Sequence, residues 1–323
     1  MYRHILGILA LAGAILVAQP GHAYTVFVSN ERDNTVSVLD SDAMEVIETI
    51  DVGRRPRGIT LSHDHDHLYI CVGDDDRIDV VDTDTYEVVG TLPSGPDPEL
   101  FVLGPEGRYL YIANEDDNKV TVTDIQEKKI VSEVRVGVEP EGMGLSPDGR
   151  TLVNTSETTN MAHFIDTETL EITDNVLVGS RPREAQFTSD GKEIWVSAEI
   201  GGTLSVISDE TRKIKHTIRF PIQGIPDEAI QPVGIELTDD GERAYVALGP
   251  SNRIAVVDQE TFEVLDYYLV GQRVWHMELS PDEKRLYTAN GVSSDVSVID
   301  LEDGKVLKSI PVGRLPWGVA IKP

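Results

Sequence analysis

Tyr109 to Asp124, YLYIANEDDNKVTVTD, holds two stretches in which apolar residues alternate with small or polar ones, joined by an acidic turn that ends in Asn118. Alternation with a period of two, broken by turn residues, marks a pair of β-strands. The aspartate closing the second stretch recurs at Asp40, Asp82, Asp124 and Asp166, then, after Ser208 in the same slot, at Asp258 and Asp300. Every step is 42 residues except one of 50. A second column, Arg57, Glu99, Glu141, Arg183, Val233, Trp275 and Trp317, keeps this spacing and places the eight extra residues between Ser208 and Val233.

Each unit predicts four strands and no helix of useful length. The pattern gives an inner strand (Gly142 to Ser146), a Ser146-Pro147-Asp148-Gly149 turn, a second strand (Leu110 to Asn114), a third (Val120 to Asp124) and a fourth (Ile130 to Val136). Four antiparallel strands at this period predict a propeller blade, and a closed ring of blades leaves no long sheet edge exposed. The chain starts with a second strand (Val26 to Asn30) and finishes with an inner one (Trp317 to Ile321). The expected fold is therefore an all-β, seven-bladed β-propeller, its last blade closed by one C-terminal and three N-terminal strands. Asn34, Asp76, Asn118, Asn160, Gly202 and Asn252 fall at one turn and tolerate positive φ. Ser29, Cys71, Ala113, Thr155, Ser197, Ala247 and Ala289 form a column of small side chains, expected where neighbouring blades approach closely.

Leu68-Tyr69-Ile70-Cys71-Val72, Leu110-Tyr111-Ile112-Ala113-Asn114 and Leu286-Tyr287-Thr288-Ala289-Asn290, with Val296-Ser297-Val298-Ile299-Asp300, resemble the YVTN β-propeller repeat over essentially the whole mature chain. Behind a leader, and with a long loop near Gly224-Ile225-Pro226, the chain is most similar to exported propellers associated with alcohol catabolism dependent on pyrroloquinoline quinone (PQQ). That resemblance implies a non-catalytic accessory role. Arg273-Val274-Trp275-His276, which lacks the proline of the other inner strands, and Val153-Asn154-Thr155-Ser156 depart from the pattern.

Met1-Tyr2-Arg3-His4, an apolar run from Ile5 to Ala18, and Gly21-His22-Ala23 have the three regions of a secretory signal. Cleavage after Ala23 would leave a propeller domain over 24–323, a periplasmic location and no membrane span. The formal charge of −28 becomes −29 without Arg3, which argues against nucleic-acid and anionic-membrane partners. The lone Cys71 excludes an internal disulfide and the Cys-x-x-Cys-His attachment of c-type haem. A monomer is expected, partnered by a periplasmic protein or a small molecule.

Loops from fourth to inner strand gather on one face around the channel mouth, where Arg57, Glu99, Glu141, Arg183, Glu184, Trp275, His276 and Trp317 form the candidate ligand-binding ring. Either the arginines pair with Glu99, Glu141 and Glu184 across blade boundaries under capping tryptophans, or they grip a carboxylate beside flat aromatic surfaces. Glu184, Gln186, Glu236, His276 and Glu278 lie on three consecutive inner strands, where a polar network is expected in preference to a hard cation. Asn154 and His163 break apolar or small-residue columns and are secondary candidates. Ser62-His63-Asp64-His65-Asp66-His67 replaces a turn on the opposite face, and the insertion from Phe220 to Gln231 reads as a lid or docking element.

No resident metal or cofactor is expected. The leading expectation is a binding or scaffold protein accessory to PQQ-dependent alcohol oxidation or an associated transport system. The alternative is a lactonase-like hydrolase using the channel face, with a haem-bearing subunit ligated through His276 or His163 as a third reading.

Overall fold

A computed structural model describes residues 23–323; apart from Ala23, the expected leader lies outside them. The alternating stretches form 28 strands, arranged as seven antiparallel sheets of four. In the blade containing the opening motif, Pro98–Leu103 is innermost, followed by Tyr109–Asn114, Lys119–Asp124 and Lys129–Arg135. Each inner strand packs on the next around the complete circle, and Pro316–Lys322 pairs with Thr25–Asn30 to close the ring. Among the described residues, helix is confined to the 3-10 turns Gly73–Asp75 and Asp227–Ala229.

The core lies between blades. Val153 and Phe164 of one blade, for example, pack with Ala185, Ile194 and Val196 of the next. Phe101, Met143, Ala185, Ile235, Met277 and Val319 of the inner strands are likewise buried. Burial on both faces of each sheet explains why small residues recur in the second strands.

The turn column takes φ values from 52° to 59°, as its residue types allow. Its side chains also bind across the repeat: Asn34, Asn118, Asn160 and Asn252 accept backbone N–H groups from Arg55, Glu139, Arg181 and Arg273, at 2.8 to 3.1 Å. Each acceptor therefore secures the start of the next inner strand. Just inside that start the pairing shifts register between Pro56 and Ile59, Pro98 and Phe101, Pro140 and Met143, Pro182 and Ala185, and Val274 and Met277. Such bulges bend a strand and re-aim its side chains.

Candidate functional site

Two consecutive residues occupy each bulge: Arg57 and Gly58, Glu99 and Leu100, Glu141 and Gly142, Arg183 and Glu184, Trp275 and His276. The first residues of four of these pairs form a charged belt. Arg57 Nη1 donates to Glu99 Oε2 at 2.5 Å, and Arg183 Nη2 lies 2.8 Å from Glu141 Oε1. Arg183 also binds Glu157, while Arg181 Nε lies 2.8 Å from Glu157 and 3.3 Å from Glu199. Arg273 reaches Glu199 at 2.9 Å. Trp275 completes the packing beneath the guanidinium groups of Arg183 and Arg273.

Glu99, Glu141, Arg183 and Trp317 are each below 5% exposed, so the belt seals its end of the channel. Burial works against Glu99, but Arg57 and Arg55 hold its carboxyl below the usual range. Burial outweighs Arg183 at Glu141, where the charges of Glu99 and Glu157 push the carboxyl further up. Glu115 is raised to about 7 by burial and by Glu99. Asp97, Glu99 and Glu115 could bring carboxylate oxygens within 4.8 Å of one another, yet Arg55 already bridges Asp97 and Glu99. The belt is internally compensated. Glu31, Glu115, Glu157 and Glu199 were not among the predicted ring residues, although they share one 42-residue slot that would have revealed them.

The second bulge residues face the axis. Leu100, Glu184 and His276 alternate with Gly58, Gly142, Gly234 and Gly318. A Cβ at Gly142 would lie 2.3 Å from the Arg183 carbonyl oxygen, and one at Gly58 2.5 Å from that of Glu99, so these blades meet backbone to side-chain-free backbone.

Below this layer is a cavity of about 420 Å³ lined by Glu184, Gln186, Glu236, His276, Glu278 and Trp317, among others. Its wall includes the exposed Pro147 and Ser189, in turns between first and second strands. The cavity therefore opens on the face opposite the arginine belt. The predicted ring is split: Arg57, Glu99, Glu141 and Arg183 plug one end, whereas Glu184 and His276 join the cavity.

Glu184 makes no arginine pair. Its Oε2 accepts the Ile235 N–H at 2.7 Å and lies 3.5 Å from His276 Nδ1. The His276 ring rests 4.1 Å from Trp317, and the residue is 7% exposed, with no partner for Nε2. Gln186 Oε1 is also unpartnered. Burial and the Glu184 charge push Glu278 up to about 8; burial, with Glu278 and Glu184, raises Glu236 well above the carboxylate range. Among the described residues, no lysine or arginine lines the cavity.

The secondary candidates lie elsewhere. Asn154 Nδ2 donates to the Gly142 carbonyl at 3.1 Å, while His163 accepts the Gly137 N–H at 3.0 Å and contacts Asn175 Oδ1. His163 and Asn154 are thus occupied in holding backbone. His63 and His65 border a cavity of about 360 Å³ that reaches Glu278, which places the histidine-rich turn beside the open channel end. Phe220 and Ile230 of the insertion are buried, Ile222 and Ile225 pack on the same cluster, and none lines the axial cavity. The insertion is a wedge beside the channel, not a cover over it.

Ring closure and an axial pocket define this chain as a seven-bladed β-propeller, the coarser part of the family resemblance. Residues 64–181 match the Cytochrome D1 heme domain family, just over a third of the chain. No curated protein matches. The periplasmic gluconolactonase PpgL of Pseudomonas aeruginosa superposes with a TM-score of 0.77 at 18% identity, covering 93% of this chain and 99% of that one. A putative 6-phosphogluconolactonase of Bacteroides fragilis gives 0.77 at 19%, covering 94% and 99%. The dihydro-heme d1 dehydrogenase NirN, in complex with DHE, gives 0.70 at 15%, covering 95% and 77%.

These comparisons correct two expectations. The expected non-catalytic accessory to PQQ-dependent alcohol oxidation is contradicted, because propellers similar to this one are named as lactonases or as a haem d1 dehydrogenase. The expected absence of any cofactor is contradicted by the match of residues 64–181 to a haem-domain family and by the likeness of the propeller to NirN in complex with DHE. The donor set offers such a ligand one buried imidazole nitrogen, His276 Nε2.

Proposed function

We propose that the chain is a lactonase-like hydrolase acting in the axial cavity. The observation that carries this reading is a buried imidazole with a carboxylate beside Nδ1, an unpartnered Nε2, and carboxylic acids in the same cavity. Glu184 favours the Nδ1–H tautomer and leaves Nε2 to take a proton from water as its oxygen attacks the lactone carbonyl. Glu278, protonated at neutral pH, donates its proton to the ring oxygen as the acyl C–O bond breaks. Water is consumed and one hydroxy acid leaves. The carboxyl proton is restored from the imidazolium through solvent.

His276→Ala should lower kcat by about 10²–10⁴-fold, with KM little changed and melting behaviour retained. Absence of turnover across a panel of sugar and aliphatic lactones by the wild-type protein would overturn the proposal. Export to the periplasm belongs to the same reading and is supported by the leader pattern; among the described residues no helix is long and apolar enough to cross a membrane. The repeat residues further support assignment to YVTN-type propellers.

A haem-type ligand is the second reading, favoured by the free His276 nitrogen, since an imidazole is a common axial ligand of haem iron. The nearby arginines that would meet its carboxylates are engaged by Glu99, Glu141, Glu157 and Glu199. Titration with haemin distinguishes the readings: a Soret shift present in wild type and lost in His276→Ala would favour haem.

A further inference from the structure

We infer that the axial channel is a charge filter that admits neutral polyhydroxylated lactones and rejects anions, phosphorylated lactones and its own hydroxy-acid product included. This inference rests on the hydrolase reading for the identity of the ligand, and on the cavity wall for its charge.

The ionisable groups lining the cavity are Glu184, Glu236, His276 and Glu278, contributed by three successive inner strands. From the other strands come Thr60, Leu100, Val102, Met143 and Gly144, which bring no charge. At the open end, Glu283 adds a further negative charge that acts on Glu236. The arginines of the belt are held away from the cavity by carboxylates of their own. An incoming phosphate therefore meets the Glu184 carboxylate, with Glu283 beyond it at the mouth and no lysine or arginine on the wall to replace its lost hydration, while Glu236 and Glu278 stay uncharged only as proton donors.

A neutral ligand finds the opposite situation. His276 Nε2 and Gln186 Oε1 are enclosed acceptors without donors at the cavity wall, and Glu236 and Glu278, driven towards the protonated form by burial, are donors on the same wall. Hydroxyl groups can satisfy both kinds of atom at once. The volume of about 420 Å³ lies within the ordinary range for small-molecule sites, about 300–1,000 Å³.

Hydrolysis then changes the charge of the occupant. Ring opening gives a carboxylic acid that releases its proton to solvent at neutral pH, which leaves a carboxylate within the field of Glu184, so the reaction itself creates the repulsion that drives product out. The filter sets direction as well as specificity.

The test is calorimetric titration of the full mature protein with three probes: a neutral sugar lactam that cannot be hydrolysed, the matching sugar acid, and the lactam carrying a phosphate. Like-charge juxtaposition predicts binding of both anions about a hundredfold weaker than the neutral probe. Thr60→Lys, which adds a cation to the uncharged wall, should narrow that gap at least about tenfold. Anions bound within about threefold of the neutral probe by the wild-type protein would overturn the filter, whatever the turnover. Neutral-selective binding without hydrolysis of any lactone would instead overturn the enzymatic reading and leave the filter standing. No binding of any probe would overturn both.

Discussion

At the residue scale, Arg183 and Glu278 stand for two ways of burying charge. Arg183 is 4% exposed and holds Glu141 and Glu157, so Arg183→Met would leave the enclosed Glu141 without its cation and Glu157 with Arg181 alone. A loss of about 3–5 kcal/mol is expected, measurable by urea unfolding. Glu278 has no cation, and its folded pKa of about 8 lies above the ordinary glutamate value. The native state therefore retains a proton that the unfolded chain releases first, and this contribution to stability is lost as pH rises from about 4 towards 8. Glu278→Gln should flatten the decline of Tm between pH 5 and pH 9, with equal slopes for the two proteins counting against this assignment. The charged columns were legible in the sequence, including Arg57, Glu99, Glu141 and Arg183. Their partners Glu157 and Glu199 keep the same spacing, but they lie in turns whose ends meet the belt only after the blades assemble, so the slot shows the residues and not the pairing.

At the element scale, strand boundaries follow directly from alternation and turn residues: the second strand expected at Leu110 to Asn114 is Tyr109–Asn114. The bulge at the start of most inner strands was not legible. It arises where a strand must pair with its blade and also approach the neighbouring blade, a demand set by ring closure. Gly142 sits in one such bulge, where an added Cβ would be 2.3 Å from backbone of the next inner strand. Gly142→Ala should cost about 1–3 kcal/mol, because backbone cannot rotate aside as a side chain can. A melting point unchanged from wild type would show that the strands are less tightly apposed. The insertion is a similar case: the sequence marked it as a lid or docking element, but only packing shows that it wedges between blades.

At the scale of the whole molecule, closure depends on one strand. Pro316–Lys322 supplies Trp317, Val319 and Ile321 to the core and pairs with the N-terminal Thr25–Asn30. Gly318 N–H donates to Ser29 Oγ at 2.9 Å, and Ser29 Oγ donates to the Arg57 carbonyl at 2.7 Å, linking the two ends to the following blade. Removing residues 316–323 should abolish cooperative thermal unfolding and expose the chain to limited proteolysis; a sharp transition in the truncated protein would refute closure by this strand. The sequence by itself determined the repeat, the number of blades and the joining of the ends, because periodic burial requires periodic residues. The tertiary structure alone decided which end of the channel is open. Side chains 42 residues apart cancel one another at the arginine belt, while Glu184, Glu236, His276 and Glu278 remain without cations around a cavity. Spacing along a chain records which slot a residue fills, but pairing is set by the direction in which a bulged strand turns it.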